Sequence, residues 1–361
     1  MRLAFVNSAW PPAWGGGEKW TVEAAEWFRA GGHEVLVVGR PISKLLAAAR
    51  GRGIEVQEFA FGGDLNPFVV SKARRLFDAH HIEVAAVNFN KEAWQFGRAA
   101  KSLDIPVIAR HGFPILRKSF LHRQLVNRVI TRLVVNAQAI CDEYAHLGFD
   151  VTRTLVIHNG VRTIEQRPGE LRRRFEIPAD VPLILAAGRI EPQKRFDRVV
   201  EIAASLLPTR PNLHVLIAGE GPDRPALELQ IQSHGLAKHV EFTGFIPDWN
   251  AIIGDADLFL LTSDQEGTPN VLLEAMAAGV PSIAFAVGSV PEILTNDLSS
   301  NVIPRGDVQL MIRRIDQLLA DDVARHSTGA AMRRMVQANF GLDHSMQQFA
   351  DLFQQTLMAR R

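Results

Sequence analysis

Two acids stand eight residues apart in the stretch Glu266-Gly267-Thr268-Pro269-Asn270-Val271-Leu272-Leu273-Glu274-Ala275-Met276-Ala277-Ala278-Gly279-Val280-Pro281. Thr268 can cap a helix, Pro269 suits a first helical position, and Gly279 with Pro281 stops it. The spacing therefore predicts Glu266 on a loop and Glu274 within the short helix that follows. The start of that helix, from Thr268 and Pro269 to Asn270 and Val271, offers amides and a dipole to the anionic part of a ligand. Two carboxylates beside it suit a partner rich in hydroxyls. Taken singly, Glu274 reads equally as a solvated helix residue and Glu266 as an ordinary loop acid.

A second group is Gly188-Arg189-Ile190-Glu191-Pro192-Gln193-Lys194, directly after an apolar run. Gly188 permits a turn, and Arg189 and Lys194 bring two cations to the carboxyl end of a strand. Fixed cations lower the barrier to departure of a diphosphate by meeting the charge that develops on its leaving oxygen. A pair of surface basics has the same composition. Gly15, Gly16 and Gly17 precede the amphipathic run Val22–Phe28, where glycines let backbone approach a phosphate closely; a flexible loop before a helix looks alike. His111 follows a strand and is the candidate polar group beside a reacting centre. The turns at Gly219-Glu220-Gly221-Pro222 and Gly244-Phe245-Ile246-Pro247 complete the set.

The elements that must position these residues are short, continuously apolar strands alternating with helical patterns. In the first half they are Leu3–Val6, Glu34–Val38, Val84–Asn88, Val107–Ala109, Leu133–Val135 and Leu155–Ile157. After a polar stretch, Arg162–Pro182, the rhythm restarts at Leu183–Ala187, Leu213–Ala218, Val240–Phe242, Leu258–Leu261 and Ser282–Phe285. Strands of this kind are buried on both faces, as in parallel βαβ units. The fold class is α/β, with two doubly wound Rossmann-like domains at 1–165 and 166–345, a cleft between them, and a last helical segment at 346–361. In open α/β sheets ligands bind beyond the carboxyl ends of the strands, where the residues above fall.

Composition narrows the field further. The 361 residues are 47% hydrophobic and 22% charged, the balance of a globular enzyme. Cys141, the single cysteine, has no internal disulfide partner, and no Cys/His spacing or acidic cluster has metal-ligand character. No apolar stretch approaches the roughly 20 residues that span a bilayer. A cytoplasmic protein, soluble or peripheral at the inner face of a membrane, is expected. The net charge of +1 averages a basic front half and an acidic back half. The basic, apolar-interleaved segment Arg117–Arg132 reads either as a contact for an anionic membrane or phosphorylated acceptor, or as a solvated helix face.

The acid pair within Glu266–Pro281, the Gly-Arg followed by Lys at 188–194, the glycines at 15–17 and the run Val156-Ile157-His158-Asn159-Gly160-Val161 together resemble glycosyltransferase family 4, over nearly the whole chain. The resemblance implies the GT-B fold and retaining, metal-independent transfer from a nucleotide-sugar donor. Its acceptor would be a glycan or a lipid-linked molecule of bacterial surface polysaccharide or lipopolysaccharide synthesis, with uridine the commonest donor base. It assigns Arg189 and Lys194 to the diphosphate, Glu266 and His111 to the donor sugar, and Glu274 to the ribose. Gly15 and Gly16 would face the diphosphate, the turns at Gly219 and Gly244 would lie around the nucleotide with Phe245 and Ile246 facing its base, and the last helix would cross back to the first domain.

Arg195 stands where the family has glycine, His158 where it has proline, and Ser289 where a second glycine is common. Asp255-Ala256-Asp257 spells a metal-binding D-x-D of another transferase class, but Asp257 opens a strand here, as in this family. No nucleic-acid partner is expected. The rival readings are a nicotinamide-dependent oxidoreductase, disfavoured because no glycine follows the first strand before residue 15, a nucleotide-sugar epimerase of the same architecture, and a non-catalytic sugar-nucleotide binder.

Overall fold

The computed structural model describes residues 1–11, 14–63, 66–116, 124 and 127–359, and divides into two compact units. The first comprises Met1–Asn159 together with the chain from Asp343 onward; the second is Gly160–Leu342.

The first unit is built on seven parallel strands: β1 (Arg2–Asn7), β2 (Glu34–Gly39), β3 (Glu55–Glu58), β4 (Val84–Val87), β5 (Val107–His111), β6 (Arg132–Val135) and β7 (Thr154–Val156). They lie in the order β3-β2-β1-β4-β5-β6-β7, so the winding reverses between β1 and β4. Phe5 on β1 is paired with Val37 on one side and Ala86 on the other, a register that buries the strand on both faces. The helices are α1 (Gly16–Ala30), α2 (Lys44–Gly51), α3 (Pro67–Ala79), α4 (Asn90–Lys101) and α5 (Gln138–His146).

The second unit repeats the plan with β8 (Leu183–Ala187), β9 (His214–Ala218), β10 (Val240–Gly244), β11 (Leu258–Leu261), β12 (Ser282–Phe285) and β13 (Val302–Ile303), ordered β10-β9-β8-β11-β12-β13. Its helices are α6 (Glu170–Arg174), α7 (Phe196–Leu206), α8 (Arg224–Ser233), α9 (Trp249–Ile252), α10 (Asn270–Ala278), α11 (Val290–Ile293), α12 (Val308–Ala320) and α13 (Asp322–Asn339). The final helix, α14 (Leu342–Met358), returns the chain to the first unit, where Phe349 meets Trp20 at 5.0 Å and Phe353 stacks on Phe28 at 5.2 Å. These are the two Rossmann-like domains of the expected α/β class. The changeover falls at Asn159/Gly160, a few residues before the Arg162–Pro182 stretch, and the return at Asp343.

Two strands escape a search for apolar runs. β3 reads Glu-Val-Gln-Glu and β13 is two residues long; both are edge strands, with one side open and no need for a continuous apolar sequence. Most of the basic segment Arg117–Arg132 (117–123 and 125–126) lies outside the described residues. Its last member, Arg132, opens β6, so the segment ends in a sheet and not on a helix face. No helix among the described residues is long and apolar enough to cross a membrane. Both D-x-D carboxylates are engaged within the fold. Asp255 accepts from the amides of Gly169 and Leu171, and Asp257 accepts from the Leu183 amide while pairing with Arg172 at 2.8 Å.

Candidate functional site

In the second unit the turns after β8 and β9 nest together. Gly188 and Gly219 have φ of +150° and +139°, and a Cβ on Gly219 would lie 1.9 Å from the Gly188 carbonyl oxygen. Only glycine permits that approach. Arg189, next in the chain, points outward with its side chain 57% exposed and its Nη1 at 2.9 Å from Glu191 Oε1. A short 3₁₀ turn, Pro192–Lys194, then carries the lysine.

The lysine loop is stitched to the loop after β11. The Asp264 amide donates to the Gln193 carbonyl at 2.8 Å, and Thr262 Oγ1 donates to the carbonyls of Lys194 and Arg195, each at 3.1 Å. Arg195 occupies the left-handed region at φ +53°, so the backbone keeps the conformation that glycine would take, with an arginine in it. Ion pairs of 2.8 Å to Asp197 and to Asp264 hold that side chain and push its pKa up. Within this frame Lys194 Nζ meets Glu266 Oε1 at 2.6 Å, and Ser263 Oγ donates to the same oxygen at 2.6 Å. The lysine and glutamate side chains are only 15% and 9% exposed, so little water screens the pair.

Glu274 is buried in α10, whose residues Leu272 to Ala277 are all buried. The helix differs from expectation at its start: Pro269 is the N-cap and not the first helical residue, and the N-cap residue makes no side-chain capping bond. Proline has no N–H to leave unpaired there, and its ring fixes the backbone at the helix entry. Asn270 and Val271 form the first turn, half-buried, and Thr268 is buried beside it. Gly288, at φ +52°, lies against the same loop: a Cβ there would be 2.3 Å from the Gly267 carbonyl oxygen and 2.5 Å from that of Glu266. The Ser289 amide donates to the Gly267 carbonyl at 2.9 Å. In the turn after β10, Phe245 is 71% exposed, whereas Ile246 belongs to the hydrophobic core, so its side chain is committed inward.

In the first unit α1 begins at Gly16, so Gly16 and Gly17 form a helical first turn and not a loop, and Gly15 is the N-cap. The Gly15 amide donates to Glu18 Oε2 at 2.7 Å. Nothing lies within 4 Å of where a Cβ on Gly16 or Gly17 would stand. His111 ends β5 and is buried, its Nδ1 at 3.0 Å from the Tyr144 hydroxyl, which also accepts from the Ile115 amide. Beside it the buried Arg110 guanidinium lies 4.3 Å over the Trp20 ring and donates through Nη2 to Asn159 Oδ1 at 2.7 Å. Burial lowers its pKa to about 9, and the Glu18 carboxylate opposes that fall.

Glu92, fully buried at the start of α4, accepts from the backbone amides of Ser8, Asn88 and Phe89 and ties the end of β1 to the end of β4. Burial raises its pKa to about 7 even against those amides. Sequence reasoning passed over Glu18, Glu92, Ser263 and Asp264. The signals were present as Glu18 three residues after Gly15 and Glu92 three after Phe89, the spacing of an acid that folds back on a helix start.

Comparison with known proteins accords with this geometry. Residues 169–335 match the family description Glycosyl transferases group 1, and residues 14–165 match Glycosyltransferase Family 4. The alpha-D-kanosaminyltransferase of Streptomyces kanamyceticus is 30% identical over 53% of this chain and 50% of its own. The lipopolysaccharide core biosynthesis glycosyltransferase LpsE of Rhizobium meliloti is 27% identical over 43% of this chain and 44% of its own. The chain thus spans about half the length of these curated relatives. Among solved structures, Anabaena Alr3699/HepE in complex with UDP superposes with a TM-score of 0.87 at 20% identity, covering 98% of this chain and 100% of that one. Two parallel-sheet domains of that fold, matched across both halves by the two family descriptions, make this chain a group 1 glycosyltransferase of family 4 with the GT-B fold.

Proposed function

We propose that the protein transfers a hexosyl group from a UDP-sugar to a glycan or lipid-linked acceptor, with retention at the anomeric carbon and without a metal ion, in the synthesis of a bacterial surface polysaccharide or lipopolysaccharide. The observation that carries the reading is the Lys194–Glu266 pair. A lysine after β8 and an acid after β11, 72 residues apart, share one desolvated contact at the carboxyl edge of a doubly wound sheet. The UDP held by Alr3699/HepE supports the choice of nucleotide.

On this reading Arg189 and Lys194 neutralise the departing diphosphate as the bond from the anomeric carbon to its oxygen breaks. The nearest amides of α10, at Asn270 and Val271, face the phosphates, Glu274 takes the ribose hydroxyls, and Glu266 takes hydroxyls of the donor sugar. The acceptor hydroxyl attacks the same face of the anomeric carbon and its proton passes to the leaving phosphate oxygen, which balances the exchange. Gly15, Gly16 and Gly17 leave the start of α1 open to a phosphate, and His111 supplies a polar group beside the sugar. The site of action is the cytoplasmic face of a membrane, with the protein in solution or bound peripherally.

The test is donor binding and turnover. Thermal stabilisation by UDP but not by unrelated anions, with loss of transfer in Lys194→Ala and Glu266→Ala, is expected. Sugar inversion without an acceptor would point to an epimerase. Binding of UDP-sugar with neither hydrolysis nor transfer would point to a non-catalytic binder.

A further inference from the structure

Trp10, directly beyond β1, exposes 71% of its surface, which leaves part of a large ring open to a ligand. Arg40, the residue after β2, lies with its guanidinium carbon 4.4 Å over that ring and 5.3 Å over Phe61. Its Nε donates to the Ser8 carbonyl at 2.8 Å. Among the described residues that is its one hydrogen bond, so both terminal nitrogens of the fork are unspent. Among the described residues Glu92 is an acid whose charge acts on Arg40, but it is occupied by the amides of Ser8, Asn88 and Phe89 and forms no ion pair with the arginine. The loop beyond Phe61 is pinned in turn, because Lys91 Nζ donates to the Gly62 carbonyl at 2.9 Å and Gln95 Nε2 to the Gly63 carbonyl at 3.1 Å. The result is a cation clamped between two rings at the carboxyl edge of the sheet, beside the reversal between β1 and β4, where open α/β sheets take ligands.

We propose that Trp10, Arg40 and Phe61 form a binding position for an anionic sugar residue of the acceptor, its ring on the open part of Trp10 and its carboxylate or phosphate on the Arg40 fork. The inference rests on the reading of the protein as a transferase to glycans. The C–H face of a pyranose carries slight positive charge and meets the negative face of an indole. A planar fork whose terminal nitrogens are uncommitted matches the paired oxygens of a carboxylate or phosphate. A neutral sugar offers the two terminal nitrogens no charge to pair with.

The sequence has six tryptophans, so ¹⁵N spectra of the full chain give six indole signals, and Trp10→Phe identifies that of Trp10. Glucuronate and glucose 6-phosphate are titrated against the wild type with glucose as the neutral reference. At least one anionic sugar is expected to move the Trp10 signal with an affinity tenfold or more above that of glucose, and the tighter of the two names the carboxylate or phosphate source. Arg40→Met, which keeps the apolar contacts with both rings, and the more conservative Arg40→Gln are each expected to abolish that preference. Thermal stabilisation by UDP should persist in both variants. Equal response to glucose and both anions, or an undiminished preference in the two variants, would overturn the proposal. So would a Trp10 shift driven by UDP as strongly as by the anionic sugars, which assigns the ring to the donor base. Absence of UDP binding to the wild type, by contrast, undoes the transferase reading itself.

Discussion

Lys194 and Glu266 stand 72 residues apart in the chain and 2.6 Å apart in space, with Ser263 donating to the same carboxylate oxygen. Removing one member of such a desolvated pair strands the other. Glu266→Ala is therefore expected to lower stability by about 3–5 kcal/mol, and the Lys194→Met/Glu266→Ala double variant to recover a large part of that loss. Transfer should fall by about 100-fold or more in either single variant and no further in proportion in the double. Chemical denaturation and initial rates on the four proteins decide it. Additive stabilities would mean that the two charges do not act on each other.

The strands and the carboxyl-edge loops were legible because strands buried on both faces must be continuously apolar, and because punctuation such as Gly188, Gly279 and Pro281 marks where they turn. The edge strands β3 and β13 were not, since a strand with an open side carries no such pattern. Nor could spacing reveal that Ile246 belongs to the core while Phe245 next to it is exposed. The long-range partners Ser263, Thr262 and Asp264 were hidden for a further reason. Thr262 and Asp264 bond to the lysine loop about 70 residues away, and Ser263 bonds to Glu266, whose partner Lys194 lies on that loop; no local periodicity encodes those contacts.

Arg195 offers a test of how a bulky residue replaces a glycine. Its left-handed backbone, φ +53°, costs a residue with a Cβ about 1 kcal/mol relative to glycine, and its ion pairs with Asp197 and Asp264 offset that cost. Arg195→Ala loses the ion pairs and keeps the strain; Arg195→Gly loses the ion pairs and relieves it. The glycine variant should exceed the alanine variant in stability by about 1 kcal/mol, read from thermal melts. Equal melts would show that the turn is not held in that conformation.

Glu92 makes stability depend on pH with a defined sign. Burial places its folded pKa at about 7, against 4.5 for an ordinary glutamate. Between those values the folded carboxyl keeps a proton that the unfolded one has released, so stability falls as pH rises through the window and levels above it. Glu92→Gln cannot titrate and should lose that slope. Comparing melting temperatures of both proteins from pH 4.5 to 8 checks the claim, and a slope that survives the substitution would assign it to another group.

Gly16 and Gly17 separate the demands of folding from those of binding. Both lie in the first turn of α1, and space for a Cβ is free at each position. Nothing in the fold therefore needs glycine there, and replacement by alanine removes backbone freedom from the unfolded chain, a gain of some tenths to about 1 kcal/mol. If the turn is kept bare so that a phosphate can reach its amides, the same methyl groups obstruct that approach. Gly16→Ala and Gly17→Ala are expected to melt at or above the wild-type temperature while the Michaelis constant for donor rises roughly tenfold, an increment of about 1.4 kcal/mol. A more stable variant with unchanged donor kinetics would remove this turn from the donor site. A less stable one would show that the glycines serve the start of the helix instead.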